Sequence, residues 1–407
     1  MIESMRCRGM RDTLPEEMQR FRRVEQAFRE VCHGWRYREV RTPAIEHLHL
    51  FTAAGTLSPQ LLGRVYSFLD WDGWSGERVV LRPDATIPTA RLYLESLRDE
   101  GIARLFYVQN VFRFAQGEES REDWQLGVEL IGDTQPAGDI ELILMGCETL
   151  ERLGLEPQLR LSDPGILRAV LARAGFGREE QITLYDRILD GDAGALEEVA
   201  ARLPDAGATA RALLSAEGEG LAYLSNLRSA LEPSIPEIAR PLDELTAVAG
   251  ALAETGRAFR ISPALVRNFE YYTGPFCQFE VAGQTVGRGG RYDGLLSLLG
   301  DSPVPASGFA LWAGTLQALL PEPQAAEAPQ VALRPASDAR ADLGATFRLA
   351  AALRQAGWAV SVAGGEDADR RVTAGAAGFL LEPAGDGGQR LATVEAVVKA
   401  LAEAARD

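Results

Sequence analysis

Two short runs carry groups able to grip a small polar molecule. LFYVQNVFRF (residues 105–114) contains Arg113 near its end, and WQLGVELIG (124–132) carries Gln125 and Glu129 four residues apart. Side chains alternate between faces in an extended chain. Gln125, Gly127 and Glu129 therefore share one face, as do Gln109, Val111 and Arg113, while Leu126, Val128 and Leu130 share an apolar one. On pattern alone the polar face is either a pocket floor or a solvent-facing strand surface. Asp84 follows a strand-like VVL, and Arg267, Tyr271 and Tyr272 precede another strand-like run. An amino acid with a basic ring has three parts that such a set matches. Its ammonium needs acceptors, which Asp84 and the Gln125 carbonyl supply. Its carboxylate needs a fork of donors, which Arg113 or Arg267 supplies. An imidazole needs a carboxylate or phenol to fix its N–H groups, which suits Glu129 and Tyr272. By residue type this is a small-polar-ligand site, but spacing alone does not make the residues converge.

Other chemistries find less support. The three histidines, His33, His47 and His49, all lie early in the chain, so no distant stretch completes a catalytic triad or a metal cluster. His47 and His49 flank Leu48 and read as a solvated face. Cys7, Cys32, Cys147 and Cys277 form no CxxC pair and read as buried free thiols. VGRGGRYDG (286–294) lacks both the GK[ST] ending and the GxGxxG spacing of phosphate loops. It reads as a tight turn where backbones approach closely.

The elements that must position these groups come from patterning. The chain has 407 residues, 46% of them hydrophobic, which is too apolar for disorder and enough for two or three domains. No run of about 18 apolar residues predicts a spanning helix. The charged N-terminus lacks the apolar core of a signal peptide, so a cytoplasmic location is expected. Net charge is −16, and Lys399 is the single lysine, a balance that argues against a dedicated nucleic-acid binder. Met18, Phe21, Val24, Phe28 and Val31 predict a helix over 16–35, with Asp12 and Thr13 as candidate caps. Short strands are expected at 38–41 and 79–81. A long hairpin spans 105–131, its tip the charged AQGEESRED (115–123). A helix covers 140–153, closed by Gly154. Residues 163–262 read as a mainly helical insertion, sheet returns at 276–281, and GFALWAGTLQALL (308–320) runs from strand to helix. PEPQAAEAPQ (321–330) is a linker. The tail, 329–407, alternates strands QVAL, WAVSV and GFLLEP with helices at 341–356 and 394–404, which predicts an α/β unit with parallel pairing.

Over residues 8–320 the chain resembles the class II histidyl-tRNA synthetases and their non-synthetase relatives, the regulatory subunits of ATP phosphoribosyltransferase. GMRDTLPEEMQRFRRVEQAFREV opens the match. GWRYREVRTPAIEHLHLF (34–51) is similar to class II motif 1, a dimer-forming helix and strand. LRPDATIPTARLY (81–93) resembles the amino-acid-binding loop, and FYVQNVFRF through WQLGVELIG resembles motif 2. LVRNFEYYTG (265–274) resembles the histidine-specific motif, and VGRGGRYDGLL through GFAL the approach to motif 3.

The resemblance implies an α+β fold: a class II synthetase-like antiparallel sheet flanked by helices, formed by 1–162 and 263–321. The insertion 163–262 interrupts it, and 329–407 resembles an eroded anticodon-binding domain. By the same matching Arg113 is the motif 2 arginine, Gln125 and Glu129 the histidine-pocket pair, Tyr272 with Tyr271 the pocket tyrosine, and Arg267 the arginine characteristic of synthetases. Asp84 and Thr86 stand where the ligand's amino group is met; synthetases usually have Glu at the first, and RPD with a following Thr, like VELIG, resembles the regulatory form.

Two departures bear on activity. Thr315 stands where motif 3 of a synthetase ends in the arginine that clamps ATP phosphates, with Gly314 where an acidic residue is expected. Threonine has no planar, permanently charged fork, and each charge-assisted hydrogen bond is worth about 1.5–3 kcal/mol net. The motif 2 loop sets Glu118, Glu119, Glu122 and Asp123 against Arg121, a charge that repels ATP and a tRNA end. The resemblance therefore implies a regulatory subunit without catalysis or cofactor of its own. It would bind histidine as effector, dimerise through motif 1 and partner a short-form ATP phosphoribosyltransferase catalytic subunit. Retention of Arg267 favours the alternative, a working histidyl-tRNA synthetase.

Overall fold

Phe21, Val24, Phe28, Val31 and Cys32 line the buried face of the first helix, Pro15–Gly34. Phe28 meets Phe106 edge-on at 5.9 Å and Phe309 at 6.5 Å, which docks the helix on the main sheet. The expected caps Asp12 and Thr13 are not used. Leu14 holds the N-cap position, and the Glu17 carboxylate accepts its N–H at 3.0 Å.

The computed structural model describes residues 5–54, 65–71, 76–114, 120–133, 136–266, 271–300, 303–322, 329–337, 339–362, 370–382 and 388–404. The chain divides into two compact units, Met1–Glu322 and Pro323–Asp407. None of the described helices is long and apolar enough to cross a membrane.

Strands are numbered along the chain. In the first unit a small sheet pairs β4 (Gly76–Leu81) with β2 (Ile45–His47) on one side and β3 (Ser67–Trp71) on the other. Among the described residues the main sheet has nine strands. Its order is β1 (Arg38–Glu39), β5 (Ala103–Phe112), β6 (Glu122–Ile131), β12 (Ala306–Trp312), β11 (Gln284–Arg291), β10 (Phe276–Val281), β7 (Gln158–Ser162), β9 (Phe259–Ile261) and β8 (Gly218–Glu219). Among the described strands of this sheet, only the β1–β5 and β7–β9 pairs are parallel. The expected hairpin is β5–β6, with Gln109 opposite Gln125 and Leu105 opposite Glu129. Helices Pro164–Arg173, Arg178–Leu189, Ala193–Ala201, Gly207–Leu214, Gly220–Leu231 and Ala239–Glu254 fill the stretch between β7 and β9, apart from β8.

The glycine-rich run is not a turn. It forms most of β11, an interior strand hydrogen-bonded to both β10 and β12. The expected close approach is present in another form: a Cβ added at Gly287 or Gly289 would collide with Leu311 or Phe309 of the neighbouring strand. Three cysteines, Cys32, Cys147 and Cys277, are buried free thiols, whereas Cys7 is exposed.

The second unit has its own core, including Val331, Leu333, Leu349, Leu353, Trp358, Val372, Val397 and Leu401. Its sheet is mixed rather than parallel. β13 (Gln330–Pro335) lies between β14 (Ala359–Ser361) and β15 (Arg370–Gly375), both parallel to it, and β15, β16 (Gly378–Glu382) and β17 (Gln389–Leu391) run antiparallel. Only Ala376 and Ala377 separate β15 from β16, too few residues for the crossover that parallel pairing requires.

Candidate functional site

The polar face of β6 is covered rather than solvent-facing. Glu129 is 2% exposed and Gln125 3%. Room for the Glu129 carboxylate comes from Gly308, its cross-strand partner on β12, where a Cβ would collide with Oε2. Gly127 does the same for Tyr107: any Cβ there would strike the phenol ring.

Hydroxyls surround the carboxylate. Tyr107 donates to Oε1 at 3.2 Å, Tyr292 donates to Oε2, and Thr86 supplies a third hydroxyl. The Thr86 and Tyr107 oxygens are themselves 3.3 Å apart. Burial pushes Glu129 up to about 8; the hydroxyls oppose the rise and the nearby Asp84 charge adds to it. Burial first, then the charge of Glu129, hold Tyr107 and Tyr292 well above the ordinary phenol range, so both stay O–H donors.

The loop of residues 82–85 brings the amino-group candidates to this floor. Asp84 Oδ1 accepts the N–H groups of Thr86 at 2.9 Å and Ile87 at 3.2 Å, closing the start of the helix Thr86–Leu92. Asp84 thus uses one of its two carboxylate oxygens to hold its own helix. The Gln125 side-chain carbonyl accepts from the Ala85 N–H at 3.2 Å. Arg113 donates through Nε to the Pro83 carbonyl at 2.8 Å. The most heavily bonded side chain of this loop is Arg82, which residue type and spacing did not single out. It donates to the carbonyls of Thr42 (2.8 Å), Pro43 (2.9 Å) and Asn110 (2.7 Å) and to Asn110 Oδ1 (2.8 Å).

Tyrosines form the wall. Tyr271 stacks on Tyr292 with centroids 5.1 Å apart, and Tyr272 meets Tyr271 and Phe276 edge-on at 4.9 Å. Burial raises Tyr271 and Tyr272, and the charges of Asp84 and Glu129 act in the same direction on both. The structure therefore brings Asp84, Thr86, Gln125, Glu129, Tyr271 and Tyr272 to one place, with Arg113 on the loop beside them. Arg267 lies outside the described residues. The phenols on Glu129 are Tyr107 and Tyr292, neither of which residue type and spacing singled out. Strand alternation signals Tyr107, two residues before Gln109; Tyr292 was hidden in the run read as a turn.

At the far end of β6 the polarity changes. The Asp123 carboxylate accepts the backbone N–H of Gly314, one residue before Thr315 in the helix Ala313–Leu319, within reach of the Arg113 and Arg11 charges. Burial raises Asp123, and these contacts oppose the rise. Glu118 and Glu119 lie outside the described residues. No group of three or more His, Cys, Asp and Glu suited to a metal occurs among the described residues. A surface cleft of about 410 Å³ lies instead on the small sheet, lined by His47, Leu48, His49, Thr52, Glu77 and Arg78. His47 and His49 are exposed there, with His47 Nδ1 3.0 Å from Glu77.

Residues 9–316 match the family model described as histidyl-tRNA synthetase. The chain is 48% identical over 313 residues to an ATP phosphoribosyltransferase regulatory subunit of Dehalococcoides mccartyi, covering 76% of each. It is 35% identical over 399 residues to one of Moorella thermoacetica, covering 93% of this chain and 97% of the other. A solved Bacillus halodurans structure, described as an ATP phosphoribosyltransferase regulatory subunit/histidyl-tRNA synthetase, superposes with a TM-score of 0.75 at 28% identity, covering 91% and 95%.

Proposed function

The chain belongs to the histidyl-tRNA synthetase family, and from that premise we propose that it is a regulatory subunit of ATP phosphoribosyltransferase with no catalysis of its own. The relatives that carry this description support the role. The contrast between the two ends of β6 carries the reading. At one end, Glu129 and its hydroxyls keep a pocket suited to an imidazole. At the other, where an ATP-using relative needs fixed positive charge, Asp123 sits on the Gly314 amide and Thr315 replaces the arginine fork.

In this reading the ligand is histidine, acting as a feedback effector. Glu129 takes the ring, the 82–86 loop and Gln125 meet the ammonium, and Arg113 or Arg267 meets the carboxylate. The reaction occurs on a short catalytic subunit joined to this chain in a hetero-oligomer. Histidine inhibits by binding one state of the assembly better than the other, since only differential affinity moves an equilibrium. Self-association through the motif 1-like residues 34–51 fits the small sheet's exposed apolar side chains, Ile45, Phe68, Leu69 and Trp71, the last 65% exposed.

The test is reconstitution. The two chains should co-purify, activity of the short subunit should depend on this chain, and histidine should suppress it. Failure to form the mixed assembly, or activity indifferent to this chain, defeats the proposal. Arg267 and the family model's description favour a second reading, a histidine-tRNA ligase. Histidine-dependent pyrophosphate exchange separates the two: sustained turnover by the purified chain would replace the first reading with the second.

A further inference from the structure

We propose that bound histidine and Glu129 hold one proton between them, the proton that the empty pocket stores on the carboxyl group. The inference rests on the reading above that histidine is the ligand. Its first support is geometric. The Glu129 carboxyl is enclosed, its partners are the hydroxyls of Tyr107, Tyr292 and Thr86, and no cation pairs with it among the described residues. The titratable groups facing it are Asp84 from the loop before Thr86–Leu92, Tyr107 from β5, Tyr271 and Tyr272 from the segment before β10, and Tyr292 after β11. One is an acid and the rest are phenols, so none compensates a negative charge. Burial accordingly pushes Glu129 up to about 8.

Free imidazole titrates near pH ~6.5 and is mostly neutral at pH 7 and above. When it enters the pocket, the Glu129 O–H bond breaks and a ring N–H bond forms. The product is an imidazolium against a carboxylate, still hydrogen-bonded by the same hydroxyls. No proton enters or leaves, and the net charge of the pocket and ring together is unchanged.

The linkage gives affinity a plateau with two falling limbs. Between about pH 6.5 and about 8 the stored proton is present and the ligand ring is neutral, so affinity is level. Above about 8 the empty Glu129 has lost its proton and binding must take one up, so affinity falls by up to about tenfold per pH unit. Below about 6.5 the ring arrives protonated and binding must expel a proton, so affinity falls again.

The experiment is titration calorimetry of the full chain with histidine, in buffers of different ionisation enthalpy, at pH 7.2 and 8.8. We expect no net proton exchange at the lower pH and uptake approaching one proton at the higher. Glu129→Gln, whose amide stores no proton, should lose that uptake. The ligand's own amine contributes equally to both proteins and cancels in the difference. Tyr292→Phe removes a hydroxyl that favours the ionised carboxyl, so its upper limb should shift to higher pH; this keeps the test sharp where the Gln variant binds too weakly to measure. Equal uptake in wild type and Glu129→Gln, an unmoved limb in Tyr292→Phe, or proton release at pH 7.2 overturns the shared proton while leaving histidine as the ligand. An absence of histidine binding at either pH overturns the ligand assignment and the inference together.

Discussion

Enclosing a carboxyl group strips its charged form of hydration, and at Glu129 hydroxyls return only part of that loss. The sign of the consequence for stability follows. The folded-state value, about 8, lies above the ordinary glutamate value, so the fold binds this proton more tightly than the unfolded chain does. The contribution is complete below about pH 4.5 and declines as pH rises through about 8. Urea unfolding of the ligand-free protein across that window should show wild type losing stability relative to Glu129→Gln, by on the order of a few kcal/mol; a flat difference would mean the carboxyl is solvated. Gly127 is the second residue on which the pocket turns. Gly127→Ala places a methyl group against the Tyr107 ring. Overpacking of this kind costs about 1–3 kcal/mol, so the urea midpoint should fall, and histidine binding with it because Tyr107 holds Glu129. The Gln125–Gly127–Glu129 face was legible from strand alternation, but its burial was not. Period two is the same for a wet face and a covered one, and the covering residues, Tyr271, Tyr272 and Tyr292, lie more than a hundred positions away.

Element by element, legibility follows the range of the interactions that form each piece. Helices with a greasy stripe, such as Pro15–Gly34 and Val394–Ala404, and the β5–β6 hairpin are local products of their sequence and stand where patterning puts them. β11 does not, because a glycine run becomes an interior strand only when β10 and β12 flank it. The same non-local logic governs polar anchors. Arg291 on β11 reaches Asp139 of the helix Pro136–Arg152 at 2.5 Å and Glu244 of the helix Ala239–Glu254 at 2.7 Å, tying the insertion to the sheet. Arg82 anchors the loop of residues 82–85 to the segment leading into β2 and to β5. Arg82→Met would leave the carbonyls of Thr42, Pro43 and Asn110 without this donor. Bonds to a charged group are worth about 1.5–3 kcal/mol each and are not additive. We expect a destabilisation of several kcal/mol and a weaker histidine affinity, with Arg82→Lys partway between. Calorimetry and urea unfolding on the same samples check this, and unchanged affinity with reduced stability would confine Arg82 to the scaffold.

At the scale of the whole molecule, a regulatory subunit has two separable tasks: completing an active assembly and reporting a metabolite. Glu129 can serve only the second, because an enclosed side chain offers no surface to a partner protein. Glu129→Ala should therefore still assemble with the short catalytic subunit and support its activity, while histidine no longer lowers that activity. The magnitude follows from linkage. Tenfold inhibition requires about 1.4 kcal/mol more favourable binding to the inhibited state than to the active one. Loss of the charged partner for the ring removes an interaction of about that size or larger. The dose-response curve of the reconstituted assembly should thus move to at least tenfold higher histidine, with activity in the absence of histidine unchanged. If activity falls in step with histidine sensitivity, the pocket and the assembly surface are one structural unit, and the separation of tasks argued from burial is wrong.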